Sequence, residues 1–169
     1  MVEGAGVRRG QAERALLAAS KVFAYAGGFV LICLVLMIVA SIFGRGFFAY
    51  PIPGDFELVE LGSAMVVVLF LPYCQITRNN VSLDMFVHRM SARALSITDA
   101  LGNLLLALVA GVLAWRSALG GIELYETRDV TSLLQIPLWL AFPIIVASFV
   151  LLALVSVLNL MTDMKGARA

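Results

Sequence analysis

Apolar positions in this chain come in long unbroken runs. Four stretches, about 22–44, 56–77, 95–118 and 136–160, stay apolar for the length of a membrane span, and polar connectors separate them. A helix needs about 20 apolar residues to cross a hydrocarbon core roughly 30 Å thick. Backbone inside that core must satisfy its own hydrogen bonds, which a helix does. The pattern predicts an all-α membrane protein: four transmembrane helices forming one domain over residues 1–169. A polar tail, residues 1–20, with some helical character, precedes the first span. The first run is longer than the apolar region of a signal peptide, about 7–15 residues, so it is expected to stay as a span.

The punctuation refines the helices. Pro51, Pro53 and Gly54 cannot continue a helix and separate the first two spans. Apolar character in the third helix persists from Leu95 to about Leu124, roughly 45 Å at 1.5 Å per residue. That helix is therefore expected to be long and tilted, or to protrude. Pro137 suits the first turn of the fourth helix, and Pro143 inside it predicts a kink. The connector 78–94 mixes basic and apolar residues and reads as a surface segment joining two helices.

Charge distribution gives an orientation. The tail holds Arg8, Arg9, Arg14 and Lys21; the 78–94 connector holds Arg78, Arg89 and Arg93; the C-terminal end holds Lys165 and Arg168. The other side holds only Arg45 and Arg128. Basic residues favour the cytoplasmic side, so both termini are expected there. Asp55, Glu57, Glu60, Glu123, Glu126 and Asp129 then fall on the outer side. Trp115 and Trp139 near one interface, with Tyr25 and Tyr73 near the other, fit aromatic belts.

Composition agrees with this class: 62% of residues are apolar and 14% charged, against about 25% charged in soluble domains. The net charge of +1 gives no reason to expect nucleic-acid binding. Cys33 and Cys74 lie within apolar runs and read as packing residues, not as a disulfide or metal pair. His88 is the single histidine, whereas a haem held between helices usually takes two axial ligands. No catalytic residue, cofactor or metal is expected. The centres of the four spans hold no ionisable group, so the chain lacks the usual equipment for coupling transport to an ion by itself.

Two groups of residues stand out. Arg45, Asp55, Glu57 and Glu60 gather where the first span exits and the second enters. Charge at that depth is kept when it is paired, solvated or used. Glu57 and Glu60 are three residues apart and share a helix face; both are expected to face Arg45. Either the cluster fixes the first helix against the second or part of it contacts another subunit. The second group is a stripe of small residues on the third helix, Ala107, Gly111, Ala114 and Ala118. Their spacing lets another helix approach closely, from within the chain or from a partner.

The chain resembles a known family, the DctQ-like small membrane subunits of tripartite ATP-independent periplasmic (TRAP) transporters. The resemblance covers about residues 22–160. It rests on Arg45 closing the first helix, the Glu57-Leu58 entry to the second, and the basic turn with an aliphatic-aspartate pattern from Arg78 to Asp84. Thr131, Leu134, Ile136-Pro137 and Trp139, leading into a helix with a second proline at Pro143, complete it. Asp55 and Phe56 stand where the family often has Trp, and Val81 and Ser82 where it often has His. The resemblance implies a partner, a large multi-helix membrane subunit carrying substrate and sodium sites. It also implies a periplasmic solute-binding protein delivering an organic acid, and a bracing role in the bacterial inner membrane for this chain. The small subunit of tripartite tricarboxylate transporters is a rival of similar size. A redox-enzyme membrane anchor and an independent small transporter are the readings from other classes.

Overall fold

A computed structural model describes residues 11–48, 53–77 and 92–166. Four helices account for most of them: α1 (Gln11–Phe48), α2 (Asp55–Ile76), α3 (Ala92–Thr127) and α4 (Phe142–Gly166). A 3-10 turn, Leu138–Ala141, leads into α4. Each of the four carries a stretch long and apolar enough to cross a membrane. The 78–91 part of the second connector, with His88 and the Arg78 to Asp84 pattern, lies outside the described residues, as do residues 1–10 of the tail.

Two helices are longer than the apolar runs announce. α1 begins at Gln11 and takes up the second half of the polar tail. α3 has 36 residues, about 54 Å at 1.5 Å per residue. Both exceed what a hydrocarbon core of about 30 Å requires, so each projects beyond the layer. The irregularity expected at Pro143 takes a particular form. α4 starts at Phe142, so Pro143 falls in its first turn, where a missing N–H costs no helical bond. The Phe142 N–H bonds the Trp139 carbonyl instead. The fourth segment is thus a 3-10 turn followed by an α-helix.

The helices pack in the spatial order α1–α2–α4–α3. α4 lies between α2 and α3, and α1 touches it only slightly. α4 accordingly holds the most buried positions, among them Ser148, Leu151, Leu152, Val155 and Ser156. The arrangement is one layer of helices, and its two faces expose large apolar side chains such as Phe29, Leu36, Leu105 and Val112. In a membrane such exposure is what lipid or a partner covers. Cys33 belongs to this exposed surface and does not pack inside.

The α1–α2 seam has a constant antiparallel register. Ser41 meets Asp55, Leu34 meets Gly62, and Gly27 meets Leu69. Each pair is seven residues from the next on both helices, the spacing of a left-handed two-helix seam. At each of the last two levels a glycine on one helix faces a leucine on the other. A Cβ on Gly62 would stand 2.7 Å from a Leu34 methyl, and one on Gly27 3.1 Å from the Leu69 Cβ. The same register carries fully buried Ser20 to the level of Ile76. Its hydroxyl has no partner among the described residues.

α2 contains a buried proline, Pro72, well inside its length. It cannot donate to the carbonyl four residues back, that of Val68. Ser148 of α4 fills that gap: its hydroxyl donates to the Val68 carbonyl at 2.6 Å. One side chain thus repairs α2 and fixes α4 beside it.

Candidate subunit-contact site

Both short connectors lie at one end of the layer, where two carboxylates of the first turn of α2 have different tasks. Asp55 closes α1 onto α2. Its Oδ2 accepts the Ser41 hydroxyl at 2.7 Å and Arg45 Nη2 at 3.0 Å, and its Oδ1 accepts the Phe56 N–H at 2.9 Å. The Arg45 side chain remains 53% exposed. The Asp55 side chain is only 16% exposed, so the clasp is half-sheltered and fixes the register of α1 against α2.

Glu57 turns away from α1. Its carboxylate accepts the backbone N–H of Leu133 at 2.7 Å and of Leu134 at 3.0 Å. Those amides belong to the loop joining α3 to the 3-10 turn. The loop folds back through an antiparallel bridge between Val130 and Pro137. Thr131 N–H donates to the Ile136 carbonyl at 3.0 Å, and its hydroxyl accepts the Ile136 N–H at 3.1 Å. Such tightness needs left-handed backbone at Arg128 and Gln135. The amides of Leu133 and Leu134 are left pointing outward, and Glu57 takes both. Gly54, with φ of 78°, makes room: a Cβ there would stand 2.5 Å from Leu134 Cγ.

The expectation that Glu57 and Glu60 face Arg45 is therefore corrected. Asp55 is the partner of Arg45, Glu57 anchors the α3–α4 loop, and Glu60 is exposed one turn deeper. Glu60 contributes its backbone carbonyl to the Ser63 hydroxyl at 3.0 Å. The small-residue stripe of α3 divides too. Ala114 is buried, Ala107 and Ala118 are half-buried, and Gly111 faces open space. The packed small residues run instead through Ala110, Ala114 and Gly121. A Cβ on Gly121 would stand 2.8 Å from that of Phe142.

The opposite end carries a polar network that the sequence reading missed. Gln75 Nε2 donates to Asn103 Oδ1 at 2.6 Å, and Asn103 Nδ2 donates to Asp163 Oδ2 at 2.7 Å. Asn159 Nδ2 donates to the Gln75 backbone carbonyl at 3.0 Å. α2, α3 and α4 are tied together there by buried Gln75, Asn159 and Asp163 and half-buried Asn103. The signal available in sequence was depth: each of these residues interrupts an apolar run near the same end of its helix. Among the described residues no group of His, Cys, Asp and Glu is arranged to hold a metal.

Four apolar helices in a row, joined by interhelical hydrogen bonds and without a metal-binding cluster among the described residues, define a small multi-pass membrane protein. Residues 34–166 match the model of the family described as tripartite ATP-independent periplasmic transporters, DctQ component. That is well over half of the chain, and the chain belongs to this family: it is a TRAP-transporter small membrane subunit and not an enzyme. Comparison with individually curated proteins and with solved structures finds no match.

Proposed function

We propose that this subunit braces a large, multi-helix permease subunit in the bacterial inner membrane during sodium-coupled uptake of an organic acid. The observation that carries the reading is the single-layer packing. Helices in the order α1–α2–α4–α3, with α1 and α3 apart, encircle no path across the membrane. An ion-coupled carrier also places ionisable groups at mid-membrane depth. Arg45, Asp55, Glu57, Glu60 and Asp163 sit toward the ends of the bundle, whereas Arg116 lies well inside the α3 span Thr98–Thr127, exposed on the outside of the layer and not among its packed positions. A subunit of this build serves as a flat support, and one face remains to be covered by its partner.

Both termini lie on the cytoplasmic side in this proposal, because the two short connectors share the end that the charge distribution assigns to the outside. The exposed acidic residues Glu123, Glu126 and Asp129 then face the periplasm and offer a contact to a solute-binding protein. Reconstitution tests the whole. The chain is expected to co-purify with a co-expressed large TRAP membrane subunit. Liposomes holding both, with the binding protein, should take up substrate under a sodium gradient, and liposomes holding this chain alone should not. Neutralising the three acidic residues together should raise the binding-protein concentration needed for half-maximal uptake. Uptake by the chain alone refutes the bracing role.

A further inference from the structure

Between α1 and α2, at the end closed by Asp55, lies an open groove of about 490 Å³. Ile38, Ile42, Phe56 and Val59 make its wall apolar, and Arg45 and Asp55 stand at its edge. The volume lies within the range of ligand sites, about 300–1,000 Å³. The geometry points to a bound zwitterionic glycerophospholipid, with an acyl chain along the apolar wall and the headgroup over the Arg45–Asp55 pair.

Three observations define the occupant. The groove runs along two helices that are each long and apolar enough to span a membrane, so its opening faces acyl chains and not water. The guanidinium uses one nitrogen on Asp55 and has further N–H donors at an exposed position. A phosphate oxygen is the natural acceptor for that planar fork. The edge also carries both signs. Arg45 is held 3.0 Å from Asp55, whose side chain is 16% exposed. A headgroup with phosphate and ammonium answers both charges. A headgroup with net negative charge answers Arg45 and leaves the Asp55 carboxylate facing it, and like charge at close range opposes binding.

The proposal needs only membrane insertion and is independent of the transport role. To test it, the full chain is purified alone and as the complex with its co-expressed large subunit. Each preparation is equilibrated with mixed micelles containing dioleoylphosphatidylethanolamine or dioleoylphosphatidylglycerol, and retained lipid is counted by native mass spectrometry. One phosphatidylethanolamine should be retained in both preparations, with phosphatidylglycerol weaker by about tenfold, the scale of one charged hydrogen bond. The paired variant Arg45→Gln with Asp55→Asn removes both charges and leaves neither unpaired. It should lower phosphatidylethanolamine retention about tenfold, by the same scale. Ile42→Trp, at a position 64% exposed, fills the groove while keeping both members of the ion pair and should abolish retention of either lipid. Equal retention of the two lipids, or unchanged retention in either variant, overturns the proposal. Loss of the lipid in the complex overturns it too, since the groove is then a seam between subunits.

Discussion

Glu57 shows how much a single side chain organises. It accepts two backbone amides from a loop more than seventy residues away in sequence, so the first turn of α2 and the start of the fourth segment move as one. Replacing it by Gln keeps the shape and removes the charge that two N–H donors address. Hydrogen exchange should then accelerate at Leu133 and Leu134, while the α1–α2 clasp at Asp55 keeps its protection. Unchanged exchange at those two amides would show that the loop holds itself. The sequence marked Arg45, Asp55, Glu57 and Glu60 as one cluster because proximity along the chain and helical spacing were all it offered. Which carboxylate meets the arginine depends on the connector path and on the amides freed by a distant tight loop. Neither is encoded in local spacing.

At the scale of helices, packing is carried by seams that no single helix displays. The small residues of the α1–α2 contact alternate sides, Gly62 on α2 and then Gly27 on α1. Neither strand of sequence shows a continuous small stripe, although the sevenfold spacing is visible once the two are read together. The stripe that was visible, Ala107 to Ala118, has an open member at Gly111 because the α3–α4 contact is centred one residue earlier, on Ala110. Pro72 and Ser148 form a second inter-helix unit. Ser148→Ala should leave the Val68 carbonyl unpaired and cost about 1 kcal/mol, the range measured for hydrogen bonds between membrane helices. Pro72→Ala restores a backbone donor for that carbonyl, so Ser148→Ala should cost less in the Pro72→Ala background than in the native one. A double-mutant cycle on unfolding in detergent reads this coupling; additive effects would mean that the hydroxyl has no role in repairing α2.

For the molecule as a whole, the number of spans and their order along the chain were legible, because hydrocarbon thickness imposes run length directly. The extent of the end helices was not. The polar residues of α1 from Gln11 and of α3 to Thr127 belong to helix that leaves the apolar layer, where run length no longer constrains composition. The spatial order was hidden too, since it depends on α4 entering between α2 and α3 instead of closing a ring.

That order makes the protein two successive hairpins, α1–α2 and α3–α4, laid side by side. Each hairpin has its own tight connector and its own close helix contact, and the joint between them is made by Ser148, Asn159, Asn103 and Glu57. Insertion can therefore proceed in two installments, with each hairpin entering the bilayer as a unit and the lateral joint closing last. Two separately expressed halves, residues 1–80 and 86–169, should find each other in the membrane and co-purify. Asn103→Leu, which removes the link between Gln75 and Asp163, should weaken their recovery. Halves that never associate would place the hairpin-to-hairpin joint under the control of the 78–91 connector.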